Sequence, residues 1–157
     1  MLRRQGFTLV EIVIVLFILL LLLGLAAPSL TGVLADKRLH RSLDRFNALV
    51  REAHERSLAQ RRAYLIVWND KELRLQPLSF LQNESHDPVE TIPVARTDKW
   101  RLSFPAALSS KTPAEWIFWE SGVCEPARVT LQNADGSWTA NYSPLTGLAE
   151  ILSYVPR

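Results

Sequence analysis

One carboxylate lies inside the longest apolar stretch of this chain. Every residue from Ile12 to Leu23 has a large hydrocarbon or aromatic side chain, and residues 24–35 add only Ser29 and Thr31 as polar interruptions. About 20 consecutive apolar residues are enough for a helix to cross a bilayer. Glu11 lies near the start of this stretch, and a carboxylate at membrane depth costs about 2.5–3.5 kcal/mol on insertion scales. We therefore expect Glu11 to have a partner of opposite charge.

The residues before the apolar stretch form a short basic leader. Arg3 and Arg4 lie within residues 1–6, and Gly6 directly precedes Phe7. Because Gly6 has no side chain, the chain can lie extended in a protease cleft there without steric cost. A cut after Gly6 would make Phe7 the first residue and would place its charged amine at the membrane surface. Glu11 would follow four residues later, about 6 Å along a helix.

The order of residues from Gly6 to Pro28 resembles the class III signal of type IV pilins and of the pseudopilins of type II secretion. The resemblance implies that a prepilin peptidase cuts between Gly6 and Phe7 and methylates the new amine of Phe7. It also implies that Glu11 pairs with the amine of a neighbouring subunit and sets the axial stagger of a filament. Pro28 falls where many pilins kink the first helix. Since proline removes a backbone donor, we expect a bend there.

Two other kinds of N-terminal segment are alternatives to a prepilin signal. A cleaved secretory signal has an apolar core of about 7–15 residues and an A-x-A-like site. The apolar stretch here is longer, and Pro28 makes a cut after Ala27 unfavourable. A plain signal anchor explains the apolar length but neither Glu11 nor the Gly6-Phe7 junction.

These features divide the chain into three parts. We expect residues 1–6 to be the prepilin leader that the resemblance implies, residues 7–35 to be the transmembrane and assembly half of an N-terminal helix, and residues 36–157 to be a globular domain. The arginines of the leader favour the cytoplasmic side. We therefore expect a single-pass protein of the bacterial inner membrane whose C-terminal domain lies in the periplasm. About 120 residues are enough for one domain with one core.

Charge gives little support for nucleic-acid binding. The whole chain has a net charge of +2, but removing the two leader arginines from its 18 basic residues leaves 16, equal to the 16 acidic ones. Residues 36–62 hold eight basic and four acidic residues. A solvated or lipid-facing helix surface is the main interpretation, and a DNA-binding face is the alternative.

The exported part begins as a helix and continues as strands. Apolar residues at steps of three and four predict one buried stripe on a helix that extends to Arg62. The stripe consists of Leu39, Leu43, Phe46, Val50 and Ala53. Residues 63–157 contain short β-rich segments separated by turn residues, such as Tyr64–Trp68 and the hairpin turn Asn133–Gly136. A long N-terminal helix packed on a C-terminal antiparallel β-sheet domain is an α+β, pilin-like order.

Three segments of this part resemble the H-type minor pseudopilins and the related FimT-like minor pilins. They are the passage from helix to first strand at residues 49–67, the apolar strand and turn at residues 116–122, and the Thr146-Gly147 pair near the C-terminus. Residues 85–93, which include Pro88 and Pro93, depart from that pattern.

Motifs for chemistry are not apparent. We find no nucleophile–base arrangement, no phosphate-binding loop and no metal motif, and we predict neither enzymatic activity nor a cofactor or metal. A single cysteine, Cys124, cannot form an internal disulfide, and we expect it to be buried as a small apolar residue. Four tryptophans on predicted strands are expected to pack the core, with binding of sugar or single-stranded nucleic acid as the alternative. They are Trp100, Trp116, Trp119 and Trp138.

Together these features predict a filament subunit without enzymatic activity. The most specific role that the resemblance implies is a minor pseudopilin of a type II secretion system, at or near the tip of the periplasmic pseudopilus. Its partners would be prepilin peptidase, the inner membrane, and other pilins or pseudopilins that bind the N-terminal helix. A minor pilin of a type IV pilus or DNA-uptake machine is the close alternative. A membrane-anchored periplasmic binding module is the alternative of another class.

Overall fold

The computed structural model describes residues 8–106 and 114–157. The chain divides in sequence into two compact units, Met1–Leu34 and Ala35–Arg157. One helix, α1, runs from Leu9 to Gln60 over 52 residues. Within the described ranges, none of the helices combines the length and the apolarity that a membrane crossing requires.

Helix α1 ends two residues before the predicted position at Arg62. Arg61 has a φ of +48°, which lies in the left-handed region where a right-handed helix cannot continue. The chain then enters the first strand at Tyr64. The backbone at Arg61, rather than a proline or glycine, therefore marks the end of the helix.

The predicted apolar stripe on α1 is buried. Leu39, Phe46, Val50 and Ala53 have no exposed surface, and Leu43 is 2% exposed. Leu49 is also buried and widens the stripe. Steps of three and four residues place these side chains on one helix face, and the strands of the second unit cover that face.

Eight strands follow the helix and form two antiparallel sheets. The first sheet has the order β3-β2-β1-β5 and the second the order β4-β6-β7-β8. The strands are β1 Tyr64–Trp68, β2 Glu72–Pro77, β3 Glu90–Pro93, β4 Lys99–Ser103, β5 Glu115–Phe118, β6 Ala127–Asn133, β7 Gly136–Tyr142 and β8 Ala149–Pro156.

The sequence predicts one β-sheet region, whereas the strands form two sheets. The first sheet contains β5 and the second contains β4, so the two sheets do not follow the order of the strands along the chain. β4 leaves the first sheet to pair with β6, and β5 returns to pair with β1, with Tyr64 opposite Phe118. Such pairings join segments that are far apart in sequence, so local alternation does not reveal them. The α+β class and the long helix are as predicted.

Phe46 connects the helix to both sheets. Its ring centroid lies 6.0 Å from that of Trp68 on β1 and 5.3 Å from that of Trp100 on β4. It also lies 5.9 Å from Trp138 and 5.6 Å from Tyr142 on β7. Aromatic pairs at these distances add stabilisation beyond their buried area. Phe46 is thus the centre of the core of the second unit.

The predicted hairpin turn at residues 133–136 joins β6 to β7. Asn133 pairs with Gly136, and Gly136 has a φ of +141°. A Cβ atom at Gly136 would collide with the backbone carbonyl of Val155 on β8. Glycine is therefore required both for the turn and for the close approach of the last strand.

Candidate functional site

The first turn of α1 is closed by Thr8. The backbone N–H of Glu11 donates to the Thr8 carbonyl at 3.1 Å and lies 3.3 Å from Thr8 Oγ1, and Ile12 N–H donates to the same carbonyl at 3.3 Å. Thr8 is therefore the N-cap of the helix. Thr8 and Glu11 together have the T-x-x-E spacing of a capping box, a signal that is present in the sequence and was not among the features predicted from it.

Two local features of the first helical turn favour a glutamate at position 11. It is the acidic residue of the first turn of α1, where the partial positive charge of the helix N-terminus stabilises a carboxylate. A glutamine can take the same capping position. The charge of Glu11 and the capping that its spacing from Thr8 allows are therefore separable by substitution.

The helix after Glu11 is apolar on all sides. Every large apolar side chain from Leu9 to Leu23 is at least 49% exposed, from Ile18 and Leu19 at 49% to Leu9 at 80%. A helix that is apolar around its whole circumference is stable only when lipid or other protein covers it. This segment is therefore expected to be covered by lipid or by other protein.

Three of the predicted site residues fall partly or wholly outside the described structure. Gly6 and Phe7 precede its first described residue, and their roles in cleavage and methylation stay predictions. Pro28 lies within α1, but the side chains of residues 24–31 are outside the described part, so the bend at Pro28 also stays a prediction.

The C-terminal end of α1 is fastened to the connection between β2 and β3. Arg62 Nη1 donates to Glu84 Oε2 at 2.6 Å, and Arg62 Nη2 contacts Glu84 Oε1. Arg62 Nη2 also lies 3.0 Å from the Tyr64 hydroxyl, which donates to Gln60 at 2.7 Å. The hydrogen bonds from Arg62 and from the Leu81 N–H lower the pKa of Glu84 to about 2.

Three polar contacts hold α1 against β7 and β8. Trp138 Nε1 donates to Ser42 Oγ at 2.9 Å, and the Tyr142 hydroxyl donates to Asn47 Oδ1 at 2.7 Å. The Tyr154 hydroxyl donates to Asp36 Oδ1 at 2.8 Å. Burial, aided by Asp36, raises the pKa of Tyr154 to about 12. These bonds satisfy polar atoms that the packing of the helix would otherwise leave unpaired.

Cys124 is buried, as predicted. It is 3% exposed, its thiol lies 3.8 Å from the Ser143 carbonyl, and burial raises its pKa to about 11. Such a thiol is protonated at neutral pH and unreactive.

The histidines are dispersed over the domain. His40 lies 3.7 Å from Asp44, and His54 Nδ1 lies 2.9 Å from the Gly122 carbonyl. The His86 ring packs on Phe80 with the centroids 4.5 Å apart. Residues 8–106 and 114–157 contain no cluster of three metal-ligating side chains.

The tryptophans fall into two groups. Trp116 and Trp138 are fully buried, which confirms their predicted place in the core. Trp119 was expected on an apolar strand, but it follows β5 and is 46% exposed. Trp100 and Trp68 are half-buried against the core. Alternation along single strands did not distinguish these half-buried tryptophans from the fully buried ones.

Comparison with known proteins gives one family match and several similar folds. Residues 1–27 match the prokaryotic N-terminal methylation motif. None of the curated protein sequences compared with the chain matches it.

Solved structures of minor pilins and pseudopilins share the fold. The Pseudomonas aeruginosa type IV minor pilin FimU is 15% identical, with a TM-score of 0.54 over 77% of this chain and 94% of FimU. Two structures of the minor pseudopilin EpsH from the Vibrio cholerae type II secretion system give TM-scores of 0.55 and 0.51. The structure with a TM-score of 0.55 is 11% identical and covers 78% of this chain and 96% of EpsH. The structure with a TM-score of 0.51 is 13% identical and covers 73% of this chain and 95% of EpsH. The N-terminal motif and the fold together confirm the predicted pilin-like, H-type resemblance.

Proposed function

We propose that this chain, which is pilin-like in its N-terminal motif and in its fold, is a minor pseudopilin of a type II secretion system. It is a structural subunit without enzymatic activity, assembled at or near the tip of the periplasmic pseudopilus. A prepilin peptidase removes residues 1–6 and methylates Phe7. The apolar part of α1 holds the protein in the inner membrane as a single span, with residues 36–157 in the periplasm.

The observation that supports this proposal most is the exposure of α1 from Leu9 to Leu23. All the large apolar side chains of this segment are at least 49% exposed. Lipid covers them before assembly, and the equivalent helices of other subunits cover them afterwards. Glu11 is the one carboxylate in the segment.

Glu11 gives the interface its register. In the filament it pairs with the methylated amine of Phe7 on a neighbouring subunit. Opposite charges attract strongly over a few ångströms in a medium of low dielectric constant, so the helices prefer the axial position at which this pair forms. The loss from placing a carboxylate among apolar side chains is offset only when the pair forms, which favours assembly over an isolated helix.

The close alternative is a minor pilin of a type IV pilus or a DNA-uptake machine. Its support is the likeness to FimU, whose TM-score of 0.54 falls between the two EpsH values of 0.51 and 0.55. The alternative of another class is a membrane-anchored periplasmic binding module that does not polymerise.

A deletion of the gene in its own host distinguishes these functions. The type II proposal predicts that secretion of folded exoproteins stops, while surface pili and DNA uptake remain normal. Loss of pili or of DNA uptake, with secretion unchanged, would instead identify the type IV alternative. No effect on either process would favour the binding module.

Processing is tested in the same host by mass spectrometry of the mature protein. The wild type should lack its first six residues and have a methylated Phe7, and Gly6→Leu should remain uncleaved. Gln5→Ala, which changes the leader but keeps the junction, is the matched control and should be cleaved normally. A wild-type protein that begins at Met1 or near Ala27 would contradict the proposal.

A further inference from the structure

The start of helix α1 lies close to the predicted cleavage junction. The first residue of the helix is Leu9, and Thr8, directly before it, is not helical. Thr8 is also the second residue after the predicted cut between Gly6 and Phe7. The residue at which the helix ends on its N-terminal side is therefore close enough to the junction to influence the backbone there.

The Thr8 hydroxyl stabilises this helix start. Thr8 Oγ1 accepts a hydrogen bond from the Glu11 N–H at 3.3 Å, and the Thr8 carbonyl accepts from the N–H groups of Glu11 and Ile12. The first four N–H groups of a helix have no partner within the helix, and an unpaired N–H is costly in an apolar environment. The side-chain oxygen of an N-cap residue supplies one of the missing acceptors.

Loss of this hydroxyl would favour extension of the helix towards the leader. One further turn offers the N–H groups of the present first turn the carbonyl groups of residues 5–7, since each helical N–H bonds four residues back. Glycine is a poor helix former, whereas glutamine and arginine are good ones, so Gly6 opposes this extension and its neighbours Gln5 and Arg4 favour it. Proteolysis favours exposed chain without regular structure, and a helix across the junction would therefore slow the cut.

We propose that Thr8 is a positioning residue for processing, because its hydroxyl holds the start of α1 at Leu9 and so leaves the Gly6-Phe7 peptide able to enter the cleft of a prepilin peptidase. The inference rests on the function proposed above, in which that peptidase cuts this junction. A separate observation supports an enzyme acting at this end, since residues 1–27 match the prokaryotic N-terminal methylation motif. Thr8 changes the fraction of chains that are ready for cleavage, not the chemistry of the cut.

Cleavage kinetics of the full chain test this inference. The uncleaved chain and its variants are held in detergent and treated with purified prepilin peptidase of the same host. Thr8→Val keeps the shape of the side chain but has no hydroxyl, so KM should rise several-fold while kcat stays unchanged. Loss of an N-cap shifts a helix equilibrium by about two- to thirty-fold, and a smaller competent fraction weakens apparent binding in proportion.

Three control variants separate the cap from the shape of the side chain. Thr8→Ser and Thr8→Asn differ from threonine in shape but retain a capping oxygen, so both should be cleaved with the wild-type KM. Thr31→Val is the same change farther along α1, and it should also be cleaved like wild type.

The backbone of the junction gives a second readout that does not depend on the peptidase. In the 13C-labelled full chain, the Cα chemical shifts of Gly6 and Phe7 should move towards helical values in Thr8→Val. In Thr8→Ser, Thr8→Asn and Thr31→Val they should stay at their wild-type values.

The wild-type KM and wild-type Cα shifts in Thr8→Val would overturn the inference. A raised KM in Thr8→Ser and Thr8→Asn as well as in Thr8→Val would also overturn it, because the peptidase would then recognise the threonine side chain itself. A raised KM in Thr8→Val without a helical shift at Gly6 and Phe7 would have the same meaning. Failure of the proposed function looks different, since the peptidase would then leave the wild-type chain intact, and this inference would fall with it.

Discussion

Arg62 and Glu84, which are 22 residues apart in sequence, form a bidentate ion pair in which Arg62 Nη1 lies 2.6 Å from Glu84 Oε2. Arg62 follows the end of α1, and Glu84 lies in the connection between β2 and β3. The same carboxylate accepts a hydrogen bond from the Leu81 N–H at 2.9 Å. Glu84 therefore fixes both its own loop and the end of the helix, directly before the proline-containing segment that departs from the H-type pattern.

Acid should weaken this link. The pKa of Glu84 is about 2 in the folded protein because Arg62 stabilises the ionised carboxylate, whereas an unperturbed glutamate has a pKa of about 4.3. A lowered pKa stabilises the fold above the unfolded-state value, and that contribution is lost as the pH falls from about 4.3 towards 2. Urea unfolding at several pH values, followed by tryptophan fluorescence, measures this loss.

The matched variants for this prediction are Glu84→Gln and Glu150→Gln. Glu84→Gln should be less stable than wild type at neutral pH, and its stability should fall less between about pH 4.3 and 2. Glu150 is exposed on β8 and should behave like wild type after substitution. Parallel acid profiles for Glu84→Gln and wild type would contradict the role of the pair.

The second unit should fold without the first. Its buried apolar residues all lie between Leu39 and Tyr142, so residues 35–157 contain the whole described core. This fragment should unfold cooperatively on heating.

Phe46→Ala should lower the free energy of unfolding of the fragment by about 3–5 kcal/mol, as large-to-small changes of buried aromatic residues do. Leu145→Ala, at a site that is 69% exposed, should stay within about 0.5 kcal/mol of wild type. Similar losses in both variants would contradict the central place of Phe46.

Cys124 should resist thiol reagents in the native protein. Burial raises its pKa from 9.0 to about 11, so at pH 8 the thiolate fraction falls about a hundredfold, and the thiolate is the reactive form. Alkylation by iodoacetamide should be slow in the folded fragment and fast in urea. The double variant Ser121→Cys, Cys124→Ala, whose new thiol is exposed, should react rapidly when folded. Fast reaction of native Cys124 would show that its loop opens readily.

Local patterns in the sequence predicted the local parts of the fold. β1 has the predicted bounds, Tyr64–Trp68, because a run of β-branched and aromatic residues ends at a turn. The stripe on α1 is buried as its spacing of three and four residues requires. The turn at residues 133–136 joins β6 to β7 in the predicted place.

Contacts between distant residues could not be predicted in the same way. The pairing of β1 with β5 and of β4 with β6 depends on how the whole chain folds back. Arg62 and Glu84 are ordinary charged residues in sequence, and only the fold brings them together. Thr8 is different, since its T-x-x-E spacing with Glu11 was a readable signal.

We expect the charge of Glu11, rather than its place in the capping box, to drive assembly. Glu11→Gln retains a side chain that fits the capping box with Thr8 but has no charge, and Glu11→Val loses both. An uncharged side chain removes the insertion cost of about 2.5–3.5 kcal/mol. Both variants should therefore enter the membrane at least as well as wild type, and both should still be cleaved after Gly6.

Co-purification of the mature protein with the other pilins or pseudopilins of its own system, after cross-linking in the membrane, separates the effect of the charge from that of the helix cap. We expect Glu11→Gln and Glu11→Val both to lose most of the cross-linked partner, to a similar extent, because neither can pair with the amine of Phe7 on a neighbour. Wild-type recovery of the partner with Glu11→Gln, and its loss only with Glu11→Val, would contradict the pairing of Glu11 with Phe7 and would assign Glu11 to the helix cap alone.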